Sequence, residues 1–149
     1  MNVTIRVMTA ADLEAVTELD VLSFSDPWPK DAFEFELANH RARCWVAEQD
    51  GHVLGMLVFW CFIDEAHLAT ISIHPNFRRR GIARKLLQTA IEAAHAEGAR
   101  IYHLEVRAGN EAAQKLYMEF GFEIVGHRAK YYKDTGEDAV LMTKHYSVQ

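Results

Sequence analysis

The chain has little to staple or stiffen it. Among 149 residues there are two cysteines, three prolines and eight glycines. Two cysteines make no disulfide framework, and Cys44 and Cys61 form no CxxC pair. Each lies in an apolar, strand-like stretch, where a small buried hydrophobe is expected rather than a reactive thiol. The scarcity of proline and glycine, with half of the residues hydrophobic and a quarter charged, excludes a fibrous or disordered chain. No apolar run is long enough to span a bilayer, since Val53 to Ile63 is strand-length and carries Gly55 and Trp60. The start, Met1-Asn2-Val3-Thr4-Ile5-Arg6, lacks the basic-then-apolar order of a secretory signal, so a cytoplasmic protein is expected. An excess of positive charge is missing too. The formal net charge is -5, which argues against direct nucleic-acid binding. The eight histidines form no HxH, HExxH or Cys/His cluster, so no metal is expected.

What is present is a regular succession of patterned segments. The length fits a single domain over residues 1–149, with no repeat or linker, and a monomer or weak dimer is expected. Thr4 to Met8 alternates as a strand, and Thr9, with Asp12 three residues on, opens a helix with Leu13, Val16 and Leu19 on one face. Ser25-Asp26-Pro27-Trp28-Pro29 breaks it, and a short helix with Phe33 and Leu37 follows. Cys44 to Glu48 and Val53 to Phe62 read as a hairpin around Asp50-Gly51. A strand from about His67 to Ile73 precedes the clearest helix, opened by Gly81, buried through Ile82, Leu86, Leu87, Ile91 and Ala94, and stopped by Gly98. Ile101 to Val106 is a strand, Asn110 caps a helix that ends at Gly121, and Glu123 to Tyr131 pairs with Ala139 to Lys144 across Asp134-Thr135-Gly136. The order β-α-α-β-β-β-α-β-α-β-β predicts an α/β fold with a mixed sheet, one central splayed parallel strand pair and helices on both faces.

Three segments carry chemistry. Arg78-Arg79-Arg80-Gly81-Ile82-Ala83 lies between a strand and a helix N-terminus, where unpaired N–H groups and the helix dipole favour an anion. Gly81 and Ala83 leave room for a phosphate against the backbone, and the arginines offer cationic donors. The same residues also suit a basic helix start facing water. The loop lacks the Gly-Lys-Ser/Thr ending of a nucleotide-hydrolase loop and the three glycines of a dinucleotide fingerprint. Glu105 interrupts the strand Leu104-Glu105-Val106-Arg107, where it is either a solvated strand-face carboxylate or a proton acceptor. Partial burial would raise its pKa and improve its match to an amine. Glu65 is the next carboxylate in line. Tyr117, two turns beyond Asn110, is either core or a proton donor, and Asn110 is an N-cap or a ligand contact.

The segment His74 to Ala83 resembles the acyl-CoA pyrophosphate loop of the GCN5-related N-acetyltransferase (GNAT) family, Gln/Arg-x-x-Gly-x-Gly/Ala, and the element order is similar to that family's fold over essentially the whole chain. Leu104-Glu105-Val106-Arg107 with Asn110, Leu116-Tyr117 with Gly121-Phe122, Tyr131-Tyr132, Glu137-Asp138-Ala139, Asp64-Glu65-Ala66 and Pro27-Trp28 resemble its RimI-like branch, the ribosomal-protein-alanine N-acetyltransferases. Gly109 stands where that branch has Ser, and Pro29 where Ser commonly follows Pro-Trp. The resemblance implies acetyl-CoA as co-substrate and the N-terminus of a small-subunit ribosomal protein as acceptor. It implies Glu105 as base and Tyr117 as acid. Backbone groups of Ile71, Ser72 and Ile73 would hold the acetyl-pantetheine arm, Arg79, Arg80, Gly81, Ile82, Ala83 and Arg84 the pyrophosphate, and Asn110 would touch the cofactor. Coenzyme A and acceptor would approach from opposite sides of the splayed strands. The loop Ser23 to Pro29, with Trp28, and the hairpin Tyr131-Tyr132 are the candidate acceptor grips. Asp26, Asp64, Glu65 and Asp134 favour a basic peptide or are solvated surface charges. The alternatives are an acetyltransferase acting on a small amine or on other protein N-termini, and a noncatalytic acyl-CoA-binding module; an intact Glu105/Tyr117 pair argues against the module.

Overall fold

Asp50 and Gly51 both have positive φ, 51° and 81°. That is the requirement of a tight primed turn, and it joins β2 (Ala42–Gln49) to β3 (His52–Phe62) as the central hairpin. The computed structural model describes residues 2–146. Around this hairpin the remaining elements are β1 (Thr4–Val7), α1 (Leu13–Ser23), α2 (Lys30–Ala38), β4 (Glu65–Ile73), α3 (Ile82–Ala96), β5 (Ile101–Arg107), α4 (Glu111–Glu119), β6 (Glu123–Tyr132) and β7 (Glu137–His145). Single 3-10 turns precede α1 and α3. The first of these delays α1 until Leu13, because the Asp12 carboxylate folds back to accept the Thr9 N–H at 2.8 Å.

The seven strands lie in the order β1-β2-β3-β4-β5-β7-β6. All neighbours are antiparallel except β4 and β5. That pair is joined by α3, and a parallel connection needs such a crossover. α1 and α2 cover one face, where Val16, Leu19 and Phe33 pack on Val46, Met56 and Val58. α3 and α4 cover the other, where Leu86, Leu87, Ile91 and Tyr117 pack with Leu57, Phe59 and Leu104. α3 buries Ile82, Leu86, Leu87, Ala90, Ile91 and Ala94, one stripe at helical spacing. No helix among the described residues is long and apolar enough to cross a membrane.

One irregularity positions the site. β4 and β5 pair only as Glu65↔Ile101, Ala66↔Tyr102 and His67↔His103. Beyond His67 both strands continue without pairing to each other. Across the β3–β4 ladder, Val58 pairs with Thr70 and Phe59 with Leu68, so Ala69 has no partner. Such a bulge bends and twists its strand, and here it turns β4 out of register with β5. The result is a fork. Along its β4 arm, backbone groups that point away from β3 are left without a strand partner.

Candidate active site

The anion loop lies at the foot of α3. Gly81 is its N-cap with φ 79°, and Arg79 also adopts a positive φ of 62°. Only glycine takes that conformation at Gly81 without strain. Nothing lies within 4 Å of where a Cβ on Gly81 would stand, so the space against this backbone is open. The first N–H groups of α3 point into it. Side chains contribute less than the run of arginines suggests. Arg78 donates to the Ile73 carbonyl at 3.2 Å, Arg80 lies over the Phe77 ring, and Arg84 is paired with Glu119. Ile82 is buried in the core, so only its backbone faces the loop. An open helix N-terminus of this kind suits an anion, with donors chiefly from the main chain.

Glu105 stands where the fork opens. On β5, Tyr102, Leu104 and Val106 point into the α3/α4 core, while His103, Glu105 and Arg107 take the opposite face. Glu105 Oε2 is 2.7 Å from His67 Nε2, and the Tyr131 hydroxyl donates to Oε1 at 3.4 Å. The sequence suggested that burial would raise this pKa. The structure corrects that: the His67 hydrogen bond holds the carboxyl below the usual carboxylate range and outweighs desolvation. The reason lies on another strand, which local patterning cannot see.

Tyr117 belongs to the other face. It is 6% exposed, packs edge-on against Phe122, and burial pushes its phenol upward, so it stays protonated across neutral pH. Asn110 caps α4, its Oδ1 accepting from the Ala113 N–H at 3.1 Å. Ile71 and Ile73 pack against the α3 side. Ser72 is buried toward α1, its hydroxyl donating to Asp20 Oδ1 at 3.0 Å.

The Glu105 face holds a groove of about 580 Å³, lined by Phe35, Trp60, Glu65, His67, His103 and Glu105 among others. Trp60 packs edge-to-face on His67 with ring centroids 5.6 Å apart, stacks on Trp28 at 6.3 Å, and donates to Glu36. Trp28 is in turn anchored on Phe33. Arg107 pairs with Asp134 and Glu137 and lies 4.1 Å from the Tyr132 ring centroid. Ser25 donates to Asp134, so the α1–α2 loop and the β6–β7 hairpin meet; Trp28, Tyr131 and Tyr132 are not among the residues that line the groove. Burial raises the Tyr132 phenol to about 12. Burial likewise raises the Cys44 thiol to about 11, as expected of a structural cysteine. No group of three metal-ligand side chains occurs among the described residues.

Asp20, His67 and Trp60 were not singled out from sequence. Asp20 is 1% exposed and bridges Ser72 of β4 and the Trp28 N–H, the latter at 2.7 Å. It thus ties the fork to the loop between α1 and α2. Asp20→Ala leaves the buried Ser72 hydroxyl and the partly buried Trp28 N–H without this acceptor and is expected to cost about 1–3 kcal/mol of stability. Urea unfolding checks this, and an unchanged midpoint would remove Asp20 from the tether.

Comparison with known proteins decides the family: the model of the acetyltransferase (GNAT) family matches residues 13–122. The chain belongs to this family. A relative from Bacillus subtilis (strain 168), provisionally named a ribosomal protein bS18-alanine N-acetyltransferase, is 40% identical over 93% of this chain and 92% of its own. The N-alpha-acetyltransferase RimI of Mycobacterium tuberculosis is 38% identical over 95% of this chain and 92% of its own. The crystal structure of the ribosomal-protein-S18-alanine N-acetyltransferase from Escherichia coli superposes with a TM-score of 0.92 at 30% identity, covering 99% of this chain and 96% of that one.

The protein is therefore an N-acetyltransferase of the GNAT family that uses acetyl-CoA. The open main-chain cradle at Gly81 and the unpaired β4 edge suit a pyrophosphate and an amide-bearing arm. The Gly109 departure has a local cause. Its N–H donates to Glu137 Oε2 at 3.0 Å, and a Cβ there would lie 2.8 Å from the same oxygen. Pro29 is the N-cap of α2 and supplies no side-chain cap.

Proposed function

We propose that this acetyltransferase transfers the acetyl group of acetyl-CoA to the α-amino group of an N-terminal alanine on a small-subunit ribosomal protein. The observation that carries this reading is the ionised carboxylate of Glu105 at the opening of the β4–β5 fork, facing a groove of about 580 Å³. The names of relatives covering more than nine-tenths of the chain point to the same acceptor. Acetyl-CoA enters from the α3/α4 face, with its pyrophosphate on the Arg79–Arg84 loop and its arm along Ile71, Ser72 and Ile73. The acceptor lies between Trp28 and the Tyr131-Tyr132 hairpin. Glu105 supplies the charge that draws a proton from the ammonium, directly or through water, and the free amine attacks the thioester carbon. Tyr117, protonated on the cofactor face, returns a proton to the departing thiolate.

Mass spectrometry of peptides differing in their first residue, incubated with enzyme and acetyl-CoA and with polyamines as competitors, tests the acceptor. Acetylation of the α-amine of alanine-first peptides is expected; preferential polyamine acetylation would overturn the reading. Tyr117→Phe removes only the hydroxyl, so packing and cofactor affinity should change little. Its kcat should fall by about 10²-fold or more. Full turnover of that variant at saturating substrates would make Tyr117 a packing residue.

A further inference from the structure

We infer that His67 is the group on which the acceptor's proton comes to rest, with Glu105 serving as the carboxylate that orients it and balances its charge. This rests on the acetyl-transfer reading above and refines one of its steps.

The fork brings the two side chains together. His67 is the last residue of β4 paired with β5, and Glu105 lies just past the point where the strands part. Their side chains therefore bridge the fork opening on the groove side, Nε2 to Oε2 at 2.7 Å. An ionised carboxylate can only accept, so Nε2 carries the hydrogen of this bond and Nδ1 keeps its lone pair. No described residue bonds Nδ1. Trp60 packs edge-to-face against the ring and restricts its reorientation. The His67 side chain is 35% exposed and lines the groove, so Nδ1 is open to an incoming amine or to a water beside it.

The arrangement repeats the carboxylate–imidazole logic of nucleophile activation, with the ring nitrogens exchanged. A carboxylate held low is a poor resting place for a proton taken from an ammonium near pH 8. The ring nitrogen Nδ1, with its lone pair on the groove side, offers the alternative acceptor. In the step itself, an ammonium N–H bond breaks and an Nδ1–H bond forms. The imidazolium sits against Glu105. The amine nitrogen then bonds the thioester carbon, the C–S bond breaks, and the thiolate takes the Tyr117 proton. The second nitrogen proton leaves as the amide forms, and Tyr117 is reprotonated through solvent. His67 releases its proton to solvent, for a net yield of amide, coenzyme A thiol and one proton.

The charged and titratable groups around His67 are Glu105 and His103 on β5, Glu65 on its own strand, Glu36 of α2, Arg41 before β2, and Tyr131 and Arg128 of β6 beyond Glu105. Glu65 is engaged by His103 at 2.6 Å and Glu36 by Trp60. Glu105 is the carboxylate that His67 contacts.

The test compares His67→Gln, His67→Ala and Glu105→Gln, using whichever acceptor the wild-type enzyme turns over fastest. The identity of the acceptor therefore does not enter the result. Gln can still donate to Glu105 but cannot take a proton. His67→Gln is expected to lower kcat on the order of 10²-fold at neutral pH, with KM for acetyl-CoA unchanged. His67→Ala should regain turnover when free imidazole is added, in proportion to its neutral form, and Glu105→Gln should not. Wild-type kcat and pH profile in His67→Gln would overturn the proposal while leaving Glu105 as the base. Equal losses in both His67 variants, with no imidazole recovery and an unshifted pH profile, would also overturn it, because His67 would then only pack.

Discussion

Glu105→Gln is expected to lower kcat on the order of 10²-fold or more at neutral pH. The amide keeps the shape and can stay within reach of His67 and Tyr131, so folding should be retained. What disappears is the negative charge at the fork opening. The sign of the pH dependence follows from the downward shift of this carboxyl. Because the folded protein holds it below the unfolded value of about 4.3, its ionised form adds stability above that value and loses it as pH falls through the lower folded pKa. Across neutral pH it does not titrate. The rise of the wild-type rate with pH must then come from a group other than Glu105, such as the amine, itself near pH 8. In Glu105→Gln the deficit should shrink as pH rises, because more of the amine arrives already deprotonated. A pH–rate series at saturating acetyl-CoA checks this. Coincident wild-type and variant profiles would return Glu105 to a structural role and direct attention to Glu65.

Gly81→Val should abolish most coenzyme A binding without unfolding the protein. Two effects act together. Gly81 sits at φ 79°, which a β-branched residue adopts only with strain. The new side chain would also enter the open space where the anion approaches the α3 N-terminus. A loss of affinity on the order of 10-fold or more is expected, and each tenfold step corresponds to about 1.4 kcal/mol. Calorimetry with coenzyme A, beside a thermal melt to establish folding, measures it. Undiminished affinity in a folded variant would place the pyrophosphate elsewhere. Gly81→Ala separates the two effects, since it keeps much of the strain and adds far less bulk.

Much of this architecture is written in local pattern. Asp50-Gly51 marks the central hairpin because few residue pairs accept two positive φ values. The apolar stripe from Ile82 to Ala94 requires a helix buried on one side, and Gly81 before it caps that helix in the left-handed conformation. Alternation in Ile101 to Arg107 is enough to set Glu105 on the face opposite Leu104 and Val106. These are short-range consequences of sterics and of periods 3.6 and 2. The arginine run was legible too, but not its intramolecular partners: Arg80 meets Phe77 and Arg84 meets Glu119, which only folding supplies.

Tertiary structure alone decided the fork and what bridges it. The bulge at Ala69 arises from register against β3, and the lone parallel pair stops at His67 because β4 then leaves β5. His67 and Glu105 are separated by 38 positions and meet on different strands. That contact reverses the expected direction of the Glu105 pKa. Asp20 joins Ser72 across 52 positions in the same way. Periodicity fixes which face a side chain takes on its own element, but the field at a carboxylate is set by whichever groups the fold brings within hydrogen-bond distance.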